Sequence, residues 1–373
     1  MRVGTQDVPT RVKKRGNMRL FAPKYYESFR CIGGECTKNC CIGWEIDIDT
    51  RTAKVYSTLS GDIGERIRAS ISTDGGCPHF RLCDGERCAN LRDDNLCSII
   101  AECGDDMIPE ICREHPRFYN VGFDFCEVGV GIACPTAAEL VLSAEGHRVY
   151  EIGKIDAEGD EIYANSYHAC REFLNAVCDF CDNHRTIDIV GFIDQFALVL
   201  NNYAVDAVTS ASADKLNIDF AEYRQRAVEE CDPQISDMVD IIIEICGRLE
   251  MLDDGYGELL CSALEKIKSS PENAAKIIED NRKYFLNLLQ YFLYRHLWLG
   301  IEEGTVYTRA QFAVLSSILI LMIAEKGGLS IRDAAVDYSR NVEYSDENVY
   351  SFTDSLEDTD AGVCTRLLLS ILK

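Results

Sequence analysis

The residues best equipped for chemistry in this chain are thiols. Of its 19 cysteines, 12 lie between Cys31 and Cys134, and only seven follow in the rest of the 373 residues. The run opens with Cys31-Ile32-Gly33-Gly34-Glu35-Cys36-Thr37-Lys38-Asn39-Cys40-Cys41, passes through Cys88, Cys97 and Cys112, and closes at Cys134-Pro135. A buried cysteine is only a small hydrophobe, so packing does not account for such crowding. Gathered thiolates are ligands for iron–sulfur clusters and for zinc. Iron–sulfur is the first reading and zinc the competing one. A structural zinc site is usually built from Cys-x-x-Cys knuckles. Here the gaps are four residues, three and none, then 8, 14 and 21. Adjacent Cys40 and Cys41 cannot both point the same way from a regular strand. They need an irregular loop, which Gly33 and Gly34 make easier.

The whole chain must supply that loop with a frame. Its 373 residues suffice for two packed units, and 47% of them are apolar, as in an ordinary globular protein. The net charge of −24 argues against nonspecific nucleic-acid binding. It suits solubility, or attraction of a cationic group such as a lysine side chain. Residues 1–30 hold eight Lys or Arg against Asp7 and Glu27, so the remainder is more acidic still. Residues 1–17 contain no apolar core and do not read as a secretory signal. They are expected to be a disordered leader, with Met18 as an alternative start. An odd cysteine number argues against a fully paired secreted framework, so a cytoplasmic protein with reduced thiols is expected. The longest apolar run, Phe312 to Ala324, falls short of the roughly 20 residues of a membrane helix and reads as a buried helix.

The expected fold class is α+β, with an irregular cysteine-rich unit over 18–145 followed by a mainly helical region over 146–373. Trp44 to Asp49 alternates apolar and acidic residues and suits a half-buried strand. Asp49 or Thr50 is positioned to cap a helix over 51–59. Residues 63–71 form a short helix or strand, and residues 108–112 a short helix before His115-Pro116. Phe123 to Ile132 alternates like a strand, and Pro135 suits the first turn of a helix over 137–142. Gly146 to Gly159 reads as a polar connector. Helices are expected over 161–183, 187–208, 219–230, 233–251, 256–269, 272–300, 308–326, 330–339 and 361–372. The acidic segment Glu343 to Asp360 reads as surface.

With these residues in view, the chain resembles the flagellin lysine-N-methylase family. The likeness lies in Cys31 to Trp44 with its acidic strand, and in Cys88 through Asn95-Leu96-Cys97 to Gly104. It continues in Cys112 with Pro116-Arg117, in Cys134-Pro135, and in Tyr291-Phe292-Leu293-Tyr294-Arg295-His296. It covers most of the chain from Met18 onward, specifically in the cysteines and loosely in the helices. A group of short zinc- or iron-chelating proteins shares a similar cysteine cluster. The resemblance implies methyl transfer from S-adenosylmethionine to flagellin lysines, and a four-iron cluster. The metal ligands it implies are Cys31, Cys36, Cys40, Cys41, Cys88, Cys97, Cys112 and Cys134. Eight exceeds the four thiolates that one such cluster takes. Cys77, Cys83, Cys103 and Cys126 fall outside the pattern, and cysteines from Cys170 onward read as core or helix-surface residues.

Methyl transfer needs a neutral amine in line with the sulfonium methyl, yet free lysine has a pKa of about 10.4. Desolvation and a proton acceptor would help. No catalytic residue is evident from sequence. Gly129-Val130-Gly131 lacks the third glycine of a nucleotide-binding turn. No Rossmann-type signature and no Cys-x-x-x-Cys-x-x-Cys motif is present. Arg117 is a candidate for the cofactor carboxylate or for supporting an anionic cluster, with an ordinary ion pair as the alternative. Tyr25 and Tyr26 are candidates to line a pocket, or simply to pack. Trp44 could stack on adenine or belong to the core. His115 is a ligand candidate or a hydrogen-bonding loop residue. Arg295 and His296 read as a paired buried feature.

Overall fold

The computed structural model describes residues 17–74, 76–157, 163–202 and 235–372. The helix expected over 219–230 lies outside them, as does the expected leader except for Asn17. Among the described residues the fold is α+β, with short strands in the first part and helices dominating the second.

One four-stranded sheet anchors the first part, in the order Arg117–Val121, Phe125–Val130, Asn17–Pro23, Val149–Asp156. Arg117–Val121 and Phe125–Val130 form an antiparallel hairpin. Phe125–Val130 runs parallel to Asn17–Pro23, with Phe125 opposite Arg19. Having a neighbour on each side, Phe125–Val130 is buried at every residue, more completely than the expected alternation implied. Val149–Asp156 closes the sheet antiparallel to Asn17–Pro23. The expected polar connector over Gly146 to Gly159 is therefore corrected to a strand. It reads as a linker because it is a largely exposed edge strand, and because a register shift between Leu20 and Phe21 spoils its alternation.

The cysteine-rich residues form an insertion between the Asn17–Pro23 strand and the hairpin. Gly33 has φ +57, and a Cβ on Gly34 would meet the Asp94 carbonyl oxygen at 2.7 Å. Both glycines are thus required by the turn and by the close approach of the 94–96 loop. The expected cap is present: Asp49 accepts from the Thr52 N–H at 2.9 Å at the start of Thr50–Thr58. Its second oxygen accepts from the Glu110 N–H at 3.0 Å, tying that helix to Glu110–Glu114. Residues 63–71 resolve into the helix Gly61–Ala69 and the two-residue strand Ile71–Ser72. The expected strand at Trp44 to Asp49 shrinks to Ile46–Asp47, paired with His79–Phe80. These pieces close over a small core of Ile46, Ile48, Tyr56, Ile67, Phe80, Cys88, Ile99 and Ile108.

The helical region is built around Arg282–Glu303 and Val306–Gly327, which pack along each other. Gly300 permits the reversal between them, since a Cβ there would lie 2.8 Å from the Val306 nitrogen. The helix expected over 272–300 is broken at Asn281, giving Pro271–Asp280 and Arg282–Glu303. Val306–Gly327 contains the expected buried run, and 94% of its most apolar window is inside the molecule. Among the described residues it is the one helix long and apolar enough to cross a membrane. The expectation of a surface segment at Glu343 to Asp360 is overturned. Asp346–Asp358 is a helix with Val349, Phe352 and Leu356 in the core, at helical spacing. Its carboxylates occupy the outer face and conceal that stripe in the sequence.

The main core continues from the helices into the sheet, taking in Phe21, Phe118, Phe125, Ile132 and Val141. The division expected after residue 145 therefore does not fall between two cores. The part with a core of its own is the cysteine-rich insertion.

Candidate functional site

Where the insertion meets the helices there is a cavity of about 210 Å³. Six of the eight candidate thiols line it: Cys31, Cys40, Cys41, Cys88, Cys97 and Cys112. Trp44, His115, Arg117, Arg295 and Tyr344 share the wall, with Glu45, Glu114 and Asp346 supplying carboxylates. Cys36 and Cys134 stand behind Cys40, close enough that each raises the cost of ionising its neighbours. The structure thus draws together sulfurs as far apart in sequence as those of Cys36 and Cys134. Among the described residues, no three His, Cys, Asp or Glu side chains stand at metal-holding spacing. The sulfurs are neighbours without forming a closed coordination shell.

Local backbone contacts explain the gathering. The Cys88 N–H donates to the Cys41 carbonyl at 2.8 Å. Ile42 bridges to Arg87, and Leu91 to Cys97. Asn39 accepts from the Cys41 N–H at 2.9 Å and donates to the Asn95 carbonyl at 3.0 Å, fixing the Cys40-Cys41 turn against the later loop. The hydrogen bond between the two adjacent thiols splits their acidities. It brings Cys40 down to about 7, helped by the Arg340 guanidinium, and it pushes Cys41 up. Burial also raises Cys41, as do the nearby thiols of Cys112 and Cys88. Burial raises Cys88 and Cys134 to about 11 each, and Cys112 well above the ordinary thiol value. Of this hydrogen-bonded pair Cys40 is the thiol favoured to ionise, and the thiolate is the form that binds metals and reacts.

Arg340 was not found by sequence reasoning. It lies on the π-helical turn Ser339–Glu343, just ahead of the helix hidden by its acidic outer face. It donates to the Ile42 carbonyl at 2.8 Å and lies 4.4 Å from the centre of the Trp44 ring. It is only 6% exposed, and its Nη1 has no hydrogen-bond partner. Tyr344, also missed, stacks on Trp44 with centroids 5.7 Å apart and planes 9° apart. Lys38 pairs with Asp337 at 2.6 Å alongside. The helical half thus reaches the cysteine loop and packs against it.

The other candidates divide. Arg117 lines the cavity, donates to the Tyr26 hydroxyl at 3.2 Å and lies over Phe29. Tyr26 supports Arg117 and is not among the cavity-lining residues. Tyr25 turns the other way, placing its hydroxyl 3.1 Å from Nδ1 of His147. Trp44 is 4% exposed and in the wall, with Tyr344 and Arg340 already against its ring. His115 packs beside it, and burial together with Arg340, Arg295 and Arg117 lowers its pKa to about 4. At neutral pH His115 is uncharged.

Arg295 and His296 form the paired buried feature expected of them. Nε2 of His296 lies 3.0 Å from Oε1 of Glu343, and Arg295 Nε lies 3.3 Å from the same oxygen. Tyr291 donates its hydroxyl to Glu343 at 2.8 Å. Burial favours the protonated Glu343 carboxyl, but Arg295, His296 and Ser339 outweigh it and hold the pKa below its ordinary value. The Gly129-Val130-Gly131 run also finds its reason. A Cβ on Gly131 would lie 2.0 Å from the Tyr344 hydroxyl and 2.3 Å from Arg295, and one on Gly129 would strike the Phe118 ring.

Cys77 and Cys83 are exposed, while Cys170, Cys181, Cys246 and Cys364 are buried helix residues. No protein-family model, curated protein or solved structure matches this chain.

Proposed function

We propose that this chain is a cytoplasmic protein-lysine N-methyltransferase that takes methyl groups from S-adenosylmethionine and acts on flagellin. Its cysteines would hold an iron–sulfur centre. The observation that carries the reading is one cavity lined by thiols, arginines and carboxylates together. The donor set suits a soft metal, because neighbouring buried thiols repel one another as anions and a cation relieves that repulsion. The thiolates that would hold it come from among the eight cysteines implied by the family likeness, six of which line the cavity. Such a centre supplies a fixed, electron-rich wall to the cavity.

The rest of the wall suits an amine and a carboxylate. Glu45, Glu114 and Asp346 would draw in a lysine side chain, which reacts only after losing its proton. Glu114 already accepts from the Tyr119 hydroxyl at 2.8 Å. Arg295 and Arg117 would take the carboxylate of the methyl donor. In the reaction the lysine nitrogen forms a bond to the methyl carbon, the sulfur–methyl bond breaks, and the sulfonium becomes a neutral thioether. The amine proton leaves to a carboxylate or water. A cavity of about 210 Å³ is below the roughly 300–1,000 Å³ usual for a whole drug-sized ligand. The adenosine part of the donor would therefore rest at its mouth. The described strands do not form a doubly wound parallel sheet, so the donor would not bind in a Rossmann crevice.

The test is to purify the protein without oxygen and measure S-adenosylmethionine binding, then methylation of flagellin by mass spectrometry. Flagellin gaining whole methyl increments is the expected result. Bound metal without donor affinity or methylation would instead assign the chain to the metal-chelating class.

A further inference from the structure

A second cavity, of about 480 Å³, opens beside the first half of the Arg282–Glu303 helix. It shares no lining residue with the thiol-lined cavity. Lys283, Leu286, Asn287 and Gln290 face it from one side of that helix, at spacings of three, one and three. Its inner end holds a polar atom that the protein does not satisfy. Gln290 is 4% exposed, and its Nε2 donates to the Leu286 carbonyl at 3.1 Å. A carbonyl only accepts, so the amide orientation is fixed. Oε1 is left buried with no hydrogen-bond partner among the described residues. Such an acceptor is costly to leave unpaired. Beside it Asn287 has both amide hydrogens committed, to the Leu142 and Ala144 carbonyls at 2.9 and 3.0 Å, which makes that wall rigid.

The outer end is cationic. Arg282 and Lys283 stand at the helix N-terminus, where the backbone dipole adds positive potential. The hydrogen bonds of Arg282 to described residues run from Nη2 alone, to the Cys181 and His184 carbonyls, so the rest of its fork is available. Lys283 spends one of its three hydrogens on the Ser143 carbonyl at 3.2 Å. Arg148 also lines the cavity and is paired with Asp179, while Glu145 supplies a second carboxylate. Three cations against two carboxylates leave a single positive charge. Between the two ends Leu286 and the exposed Tyr150 ring give an apolar passage.

We propose that this cavity binds a small organic monocarboxylate carrying an N–H or O–H group. The carboxylate would meet Lys283 and Arg282, and the donor would meet Oε1 of Gln290. The volume lies within the roughly 300–1,000 Å³ usual for small-molecule sites. The single excess charge favours a monoanion over a phosphate dianion. Lys283 and Gln290 are seven residues apart, roughly 10 Å at about 1.5 Å per residue. Two hydrogen bonds of about 2.9 Å take up more than half of that, leaving about 5 Å between the ligand's own groups. This is close to the span from carboxylate to hydroxyl across an aromatic ring. The inference rests neither on the cysteines as metal ligands nor on methylation.

The test is titration of the full-length chain with 4-hydroxybenzoate, benzoate, 4-hydroxybenzamide and inorganic phosphate, followed by ligand-observed NMR. 4-Hydroxybenzoate should bind in the millimolar range or tighter, about fivefold more tightly than benzoate, which lacks the donor. It should bind about tenfold more tightly than 4-hydroxybenzamide, which lacks the charge. Lys283→Met, at an exposed position, should weaken it about tenfold. Gln290→Leu should abolish the advantage of 4-hydroxybenzoate over benzoate. The proposal is overturned if 4-hydroxybenzoate does not bind, if benzoate binds wild type equally well, if phosphate binds more tightly, or if Lys283→Met binds unchanged. Should Gln290→Leu lose its helical circular dichroism, the two benzoates on wild type and Lys283→Met decide. Failure to methylate flagellin would leave this site standing, and loss of this site would leave the methylase reading standing.

Discussion

The helical region and the cysteine-rich insertion solve the same problem by different means. The helices bury large side chains throughout: Phe285, Phe292, Phe312 and Phe352 are fully enclosed, and Val306–Gly327 is buried along almost its whole length. Burial of about 1.5–3 kcal/mol per large apolar side chain is enough to hold such a unit. The insertion closes over only eight buried apolar residues, one of them Cys88. Its strands are two residues long and its helices nine or fewer. A core this small needs cross-links, and the thiols gathered at its edge are the groups able to provide them. If those sulfurs hold a metal as proposed, the same atoms that face the cavity would also staple its wall.

The sharpest way to break this comparison is to remove the metal that the proposed function assigns to the thiols. Chelation of the full-length protein should expose the amides of Thr50–Thr58 and Gly61–Ala69 to hydrogen exchange, with those of Arg282–Glu303 and Val306–Gly327 still protected. Equal loss in both regions, or no loss in the insertion, would end the distinction. Next in size is Phe312→Ala, which empties space beside Phe292 and Phe352. It should cost about 3–5 kcal/mol in denaturant unfolding and leave the metal content unchanged.

A smaller effect sharpens the comparison at the seam between sheet and helices. Glu127 is 1% exposed, and neither oxygen has a hydrogen-bond partner; Arg171 lies 3.3 Å away. Burial raises its pKa to about 7, with Arg171 only partly opposing. The folded state therefore keeps a proton that the unfolded chain has already lost. Stability from this group falls as pH rises from the ordinary carboxyl value to about 7, by roughly 3 kcal/mol at about 1.4 kcal/mol per pH unit. Glu127→Gln should remove that loss, so that the melting temperature drops less than in wild type between pH 5 and pH 8. A parallel pair of profiles would show that Glu127 ionises normally.

Much of the fold was legible before the structure. The Asp49 cap, the Pro135 start and the helix over 256–269 follow from local chemistry, and each depends on residues within a turn or two. The strand Val149–Asp156 was not legible, because an exposed edge strand carries no alternating stripe. The helix Asp346–Asp358 was not legible either, since charge outnumbers its inward apolar positions, Val349, Phe352 and Leu356. Arg340 gave no signal at all: nothing in Ser339–Glu343 distinguishes it from any surface arginine.

By itself the sequence determined the chemistry available, namely thiols crowded into one segment, and the helical periodicity of the second half. The tertiary structure alone decided which sulfurs are neighbours, and it alone brought Arg340 to Ile42 across 298 residues of sequence. The reason is physical. Periodicity and capping are set by a few adjacent residues, whereas the encounter of side chains from distant segments depends on how every element between them packs.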